Sequence, residues 1–159
     1  MKLKKGTKGL FLKISDYKNY NYAKEHFECY EKNKFVWMLK MGRIINKDTI
    51  NELIKNDGVL IIKSTVKNGN QFYLCKIEKY DLDENFIYPQ YYNELFKNEY
   101  YDLEDLKRNN TWIKINYMKP IDMTIVDKFI TSSSKRPLRE GCMYRVSHIY
   151  IESIDDINI

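Results

Sequence analysis

Apolar residues occur along the chain in short segments separated by polar stretches. Several segments are dominated by aliphatic, aromatic and β-branched residues, which favour strands. One of them, 59–62, is continuously apolar and is typical of a strand buried on both faces. An Asn-Gly pair within 67–70 predicts a hairpin turn, because this dipeptide accepts the positive φ angles of such turns. The predicted strands are 10–15, 35–41, 59–62, 71–80, 111–118 and 142–151.

Alternation of side chains assigns the two faces of two predicted strands, because successive residues of a strand point to opposite sides. In 71–80, one face carries Tyr73, Cys75 and Ile77, and the other carries Phe72 and Leu74. In 111–118, one face carries Ile113, Ile115 and Tyr117, and the other carries Trp112, Lys114 and Asn116. Both strands therefore have side chains to bury on at least one face.

Helix signals lie between the strands. Asn21 is placed to cap a helix over 22–32. Asp48 or Thr49 is placed to cap a second helix, in which Thr49 and Glu52 have capping-box spacing and which Gly58 would end. We expect a short helix over 103–108, and a further helix capped by Asp122 that carries Ile125, Val126, Phe129 and Ile130.

The pattern predicts an α+β fold: a curved mixed sheet or small barrel of five to six strands with three to four peripheral helices. Because the sequence shows neither a repeat nor a Ser/Gly-rich linker, we expect one domain over 1–159. No segment approaches the roughly 20 apolar residues of a membrane span, and Lys13 interrupts the apolar run near the N-terminus. The three Cys are far apart in the sequence, which favours a reduced, cytoplasmic setting.

Charge is unevenly distributed around a net value of +5. Segments 1–80 and 107–145 are basic, whereas 81–106 is acidic and rich in Tyr. If the basic segments meet in the fold, they form a positive face that attracts a polyanion. Alternatively, the Lys residues are scattered over the surface and maintain solubility.

Motifs of catalysis are missing from the sequence, which lacks a nucleophile elbow, a P-loop, a zinc-protease helix and a dinucleotide fingerprint. His148 lies in an alternating strand, where a packed or surface role is expected, and Cys75 is expected to be buried and inert. The acids Glu99, Asp102, Glu104 and Asp105 are typical of a solvated surface. We therefore expect neither a metal site nor a cofactor.

Aromatic residues interleaved with basic ones are the stronger signal. Bases stack on exposed rings while nearby Lys and Arg contact phosphates. Trp37 is followed by Lys40 and Arg43, Trp112 begins a strand, and Tyr91 and Tyr92 lie in a predicted loop. The alternative is that both Trp side chains anchor the core. The segment 132–139 combines hydroxyls and cations suited to phosphate contacts, although a plain flexible loop has the same composition: Ser133, Ser134, Lys135, Arg136 and Arg139.

The order of these segments resembles a PUA-like domain of the EVE/YTH/ASCH kind. The resemblance rests on GLFLKISDY (9–17), FVWMLKMGR (35–43), INELIKNDGVLIIKST (50–65), QFYLCKIEKY (71–80), YPQYY (88–92), TWIKINYMKPID (111–122) and SSSKRPLREGCMYRVSHIYI (132–151). The closing segment is similar to EVE-like modules of restriction systems. The chain departs from the family at Ile44, where typical EVE domains have Asn. The resemblance implies a nucleic-acid-binding barrel that holds a flipped base, with Trp37 as a cage wall and Lys13 and Ser15 at the pocket mouth.

The sequence therefore predicts a non-catalytic reader of DNA or RNA, possibly of a modified base, with nucleic acid as partner, no membrane association, and possible fusion to or association with other protein domains. Two alternatives stay open. One is a small nuclease using Lys13, Tyr144 and Arg145. The other is a protein-interaction or inhibitor module that uses the acidic, Tyr-rich segment 81–106.

Overall fold

The computed structural model describes residues 1–15, 21–40, 43–66, 69–83, 85–92, 111–141 and 148–159. Within these ranges the chain is mixed α+β, as the sequence predicts. The strands are β1 (Lys2–Leu3), β2 (Lys8–Ser15), β3 (Val36–Lys40), β4 (Val59–Val66), β5 (Gly69–Asp81), β6 (Thr111–Ile121), β7 (Phe129–Thr131), β8 (His148–Ser153) and β9 (Ile157–Asn158). The helices are α1 (Tyr22–Asn33), α2 (Lys47–Lys55), α3 (Met123–Val126) and α4 (Leu138–Gly141).

Seven of the described strands form one sheet in the order β3-β6-β5-β4-β2-β8-β7, and β1 pairs with β9. β2 runs parallel to β4 and antiparallel to β8, and the other neighbours in the sheet are antiparallel. Among the described residues the main sheet thus has one strand more than the largest expected number. The additional strand is β7, for which the sequence pattern predicts a helix.

The centre of the sheet is buried on both faces. Residues 59–62 of β4 are fully buried and point alternately into two hydrophobic cores. Leu60 and Ile62 join Leu10 and Leu12 in the first core, whereas Val59 and Ile61 enter the second. The face assignments for β5 are confirmed in the same way, since Tyr73, Cys75 and Ile77 enter the first core and Phe72 and Leu74 the second.

The two longer helices pack on the first core. Asn21 caps α1 as predicted, since its side chain accepts a hydrogen bond from the Lys24 amide at 2.9 Å. The predicted cap of α2 is wrong by two or three residues. Asn46 caps this helix, because its Oδ1 accepts from the amides of both Asp48 (2.9 Å) and Thr49 (3.2 Å).

The end of α2 also differs from the prediction. The left-handed residue after the helix is Asp57, with φ of 54°, rather than Gly58. Gly58 is required for another reason. A Cβ atom at this position would lie 2.8 Å from Leu53 Cδ2 and 2.9 Å from the Lys8 carbonyl oxygen. The glycine thus permits α2 to pack closely on the start of β2.

Two predictions in the second half of the chain are wrong. Asp122 caps a helix, but α3 ends at Val126, and Phe129 and Ile130 lie in β7, which pairs with β8 and buries Phe129. Tyr117 packs against the second core rather than with Ile115, because a register shift between β5 and β6 at Lys76 and Ile77 reverses the alternation.

Several predictions lie outside the described residues: the turn residues 67–68, the helix over 103–108, the acids at 99, 102, 104 and 105, and the start of the last predicted strand at 142–147. None of the helices in the described part of the chain has both the length and the apolarity that crossing a membrane requires. The expectation of a single domain stays a prediction, as does the cytoplasmic setting.

Candidate functional site

Trp37 lies in β3 and faces away from the first core. Its neighbours in the strand, Val36 and Met38, enter that core, so alternation directs Trp37 to the other side of the sheet. There it joins a third cluster, which we call the aromatic cluster: Trp37, Leu39, Tyr92 and Trp112. Trp37 is only 8% exposed and Trp112 only 3% exposed. The indoles thus have the burial expected of side chains that anchor the core, rather than the exposure expected of rings on which a base stacks.

Rings from residues 86–88 cover both indoles. The Phe86 ring centroid lies 4.7 Å from that of Trp37 and 5.2 Å from that of Trp112. Tyr88 stacks on Trp112 at 5.4 Å with an interplanar angle of 14°. Lys79 Nζ lies 5.4 Å from the Trp37 ring centroid. Protein groups therefore occupy the stacking positions that a base would need between the two tryptophans.

Tyr91 and Tyr92 are part of this packing. The Tyr91 hydroxyl accepts a hydrogen bond from the Trp37 amide at 2.8 Å, and burial raises the pKa of Tyr91 to about 12. Tyr92 is fully buried, and its hydroxyl accepts from the Leu39 amide at 2.8 Å. Both tyrosines thus fix the segment that precedes residue 93 against β3, with their hydroxyls turned to the protein backbone.

The Tyr92 hydroxyl belongs to a buried polar network with α1. His26 Nδ1 lies 2.7 Å from the Tyr22 carbonyl oxygen, which can only accept, so Nδ1 carries the proton. Nε2 then accepts from the Tyr92 hydroxyl at 2.9 Å. The Tyr22 hydroxyl lies 2.9 Å from the Leu39 carbonyl oxygen and also contacts the Tyr92 hydroxyl oxygen, and its single proton can be donated to only one of these two acceptors. Burial lowers the pKa of His26 from 6.5 to about 4, so this histidine is neutral at pH 7.

The other two residues assigned to the base pocket lie on β2. Lys13 and Ser15 are in register with Lys63 and Thr65 of β4, and three strands separate β2 from β3 in the order of the sheet. Trp37, Trp112, Tyr91 and Tyr92 are therefore brought together, whereas Lys13 and Ser15 lie on β2, which contributes no residue to the aromatic cluster.

Basic residues from distant parts of the chain meet at the end of β3. Lys40 is 7% exposed, and its Nζ donates to the Arg43 carbonyl oxygen. Burial lowers the pKa of Lys40. Burial also lowers the pKa of His148, and the positive charges of Lys40 and Arg43 lower it further. Lys40, Arg43 and His148 thus form one site, which we call the basic cluster.

His148 is the member of this cluster that the sequence analysis did not assign to the site. Four strands separate β3 from β8 in the order of the sheet, so the two meet only because the sheet curves. Such proximity leaves no signal in the local sequence around residue 148. The closeness of His148 to Lys40 and Arg43, more than 100 residues earlier in the chain, is known only from the structure.

The cations of the 132–139 segment are largely engaged within the protein. Lys135 and Lys8 both pair with Glu152, and Arg139 pairs with Asp127 through Nε at 3.0 Å and through Nη2. Within the loop, the Ser134 hydroxyl is hydrogen-bonded to Thr131 Oγ1 at 2.6 Å, and the Arg136 amide donates to the same Thr131 atom at 3.2 Å. Ser133 is exposed. The loop is thus an ordered turn whose ion pairs lie at the surface, where such pairs contribute little to stability.

The alternative functions stay predictions. Of the nuclease residues, Tyr144 and Arg145 lie outside the described part of the chain. In the ranges that the structure describes, no group of three or more His, Cys, Asp or Glu is placed to hold a metal ion. Of the acidic segment, residues 81–83 and 85–92 are described, and Ile87 within it is 90% exposed. Cys75 is buried, and burial raises the pKa of its thiol well above the usual range.

The burial of His26 predicts a loss of stability in mild acid. The unfolded chain takes up a proton near pH 6.5, whereas the folded chain resists it until about pH 4, so the free energy of unfolding falls as the pH drops through this window. We expect a loss of about 2 kcal/mol between pH 7 and pH 5 from His26. Urea unfolding at several pH values measures it, with His148→Gln as the background that removes the other histidine. A stability that is constant over this range in the background variant would contradict the assignment.

The packing of Trp37 predicts that this side chain matters for folding. We expect Trp37→Ala to lower the free energy of unfolding by about 3 kcal/mol, because it removes a buried ring that contacts Phe86 and Lys79. Tyr150→Ala is the matched control, since Tyr150 is 39% exposed and should cost about 1 kcal/mol or less. Denaturant unfolding followed by circular dichroism compares the two. Equal stability of both variants would mean that Trp37 is not an anchor.

No family model, no curated protein and no solved structure matches the chain. The features from which a function can be proposed are then those described above, the aromatic cluster and the basic cluster. The indoles of the aromatic cluster are enclosed, whereas Arg43 of the basic cluster is exposed to solvent and His148 partly so. The basic cluster is accordingly the candidate site for a ligand.

Proposed function

We propose that the protein binds nucleic acid as a reader of a flipped base, whether modified or unmodified, and that the basic cluster holds the phosphates. The observation that carries this proposal is the contact between Lys40, whose Nζ donates to the Arg43 carbonyl oxygen, and Arg43, both near enough to His148 for their positive charges to lower its pKa. Lys40 and Arg43 carry positive charges close enough to oppose the protonation of His148. A bound anion offsets these charges, and the site is therefore more favourable with phosphate than without it.

The wider charge distribution favours a polyanion over a small anion. The chain carries a net charge of +5, and β2 and β4 place Lys13 and Lys63 side by side in register. Arg136 and the surface ion pairs of Lys135 and Arg139 add cations that a phosphate chain can recruit, because exposed pairs exchange partners at little cost. Several such contacts make binding strongly dependent on salt.

The same proposal includes the finer fold assignment, a PUA-like domain of the EVE kind. Supporting it is the curvature of the sheet. Val36 and Met38 of β3 share the first core with Leu10 and Leu12 of β2, although three strands lie between these strands in the order of the sheet. In this proposal Trp37 supports the wall of the domain from within the aromatic cluster, and the phosphate contacts lie at the end of β3.

A charge-neutralising variant tests the proposal. We expect Arg43→Gln to weaken binding of a labelled single-stranded oligonucleotide by roughly fivefold at low salt, alike for all sequences, and to lower the slope of log K against log salt by about 0.7. Fluorescence anisotropy at several salt concentrations measures both quantities. Lys119→Gln removes the same charge from an exposed position of β6 and serves as the control.

Two results would contradict the proposal. One is that the unmodified protein binds no oligonucleotide at low salt. The other is that Arg43→Gln and Lys119→Gln weaken binding equally, which would indicate a diffuse attraction to the whole surface rather than contact at the basic cluster.

A further inference from the structure

A cavity of about 420 Å³ lies beside the basic cluster, between α2 and β8. Its volume is within the range of pockets that bind small molecules, roughly 300 to 1,000 Å³. Leu53 and Ile151 give it an apolar floor. Asp48 and Glu52, one helical turn apart on α2, line it on one side, and Tyr150 of β8 lines it on another. The cavity is thus apolar within, acidic along α2, and bordered at the start of β2 by Lys8, which pairs with Glu152.

The cavity is linked to the basic cluster through β8, because Tyr150 lines the cavity and contacts His148 of the cluster. Tyr150 and His148 are two residues apart in one strand and lie on the same face, and their ring centroids are 5.5 Å apart. Tyr150 is 39% exposed, so part of its ring is available to a ligand. The Ser132 amide donates to the Tyr150 carbonyl at 2.8 Å, which fixes the backbone of this wall against the 132–139 loop.

The charges along this path differ in sign. Carboxylates on α2 repel a phosphate and attract hydrogen-bond donors, whereas the basic cluster attracts a phosphate. A ligand that carries an anion at one end and donor groups on an apolar plane at the other matches both. A nucleotide has this form, and Asp and Glu accept hydrogen bonds from the exocyclic amino groups of bases.

We propose that this cavity receives a nucleobase that carries an exocyclic amino group, stacked on Tyr150 and hydrogen-bonded to Glu52 or Asp48, while the phosphate of the same nucleotide lies on the basic cluster. This inference rests on the function proposed above and places the base in a different location from the indoles. Thymine and uracil are disfavoured, because each has a carbonyl oxygen at the position where cytosine has an amino group. That oxygen would face the carboxylates of α2 and be repelled by them. The source is either a flipped nucleotide of a polymer or a free nucleotide.

The test compares labelled oligo(dC) and oligo(dT), which share a pyrimidine backbone and differ in the group offered to the carboxylates. We expect the unmodified protein to bind oligo(dC) at least tenfold more tightly at neutral pH, by fluorescence anisotropy. Glu52→Gln should abolish most of this preference and leave the affinity for oligo(dT) within about twofold. The amide retains the hydrogen bond that Asn56 Nδ2 donates to Glu52 at 2.9 Å, so the fold is preserved.

Four further variants complete the test. Asp48→Asn is the second variant at the acidic wall. Glu31→Gln, on the exposed side of α1, is the control and should keep the full preference. Tyr150→Ala should weaken binding of both oligonucleotides and Tyr150→Phe should not, since stacking needs the ring and not the hydroxyl. Titration with dCMP and dTMP shows whether the bound base comes from a free nucleotide or from a polymer. Binding of dCMP in preference to dTMP, without binding of oligonucleotides, indicates a free nucleotide. Binding of oligonucleotides without binding of either mononucleotide indicates a polymer.

Equal affinity for oligo(dC) and oligo(dT) would overturn this inference. If Arg43→Gln still weakened binding in that case, the proposed function would stand and only the location of the base would be wrong. A preference that survives in both Glu52→Gln and Asp48→Asn would likewise overturn it. Failure of every oligonucleotide and mononucleotide to bind would remove the inference and the proposed function together.

Discussion

The parallel pairing of β2 with β4 is the interaction on which the rest of the structure depends. Seven residue pairs, from Gly9 with Val59 to Ser15 with Thr65, hold these two strands at the centre of the sheet. The approach is close at its start, because a Cβ atom at position 9 would lie 2.7 Å from the Val59 carbonyl oxygen. Apolar side chains leave this pair on both faces and form the floors of two cores, so burial of apolar area and backbone hydrogen bonding stabilise the same element.

The candidate site follows from this centre. β8 pairs with the side of β2 opposite to β4, which places His148 opposite Leu12. Residues from both ends of the chain thereby form the basic cluster. α2, packed through Leu53 against Gly58, supplies the acidic wall of the neighbouring cavity. The site is thus assembled by the curvature of the sheet and by the position of one helix.

The sequence predicts those features that depend on local chemistry. The apolar run in β4, the faces of β5 and the Asn21 cap are confirmed, because each arises from burial or from hydrogen bonds within a few residues. Asn46 was missed as a cap because Asp48 and Thr49 are equally good cap residues in sequence. The helical spacing of Phe129 predicts a helix where the structure has β7. The segment is a strand because its pairing with β8 outweighs that local preference. The Trp37 environment and the position of His148 depend on contacts between distant segments, which no local pattern records.

The central claim is that an anion of nucleic acid reaches the basic cluster, and the ionisation of His148 measures it most directly. The imidazole can be titrated by NMR in the free protein and in the presence of a single-stranded oligonucleotide, with the buried His26 as an internal reference. The account predicts a pKa below 6.5 in the free protein, because of burial and of the charges of Lys40 and Arg43, and a clear rise when the oligonucleotide binds. A pKa of His148 that binding leaves unchanged would contradict it.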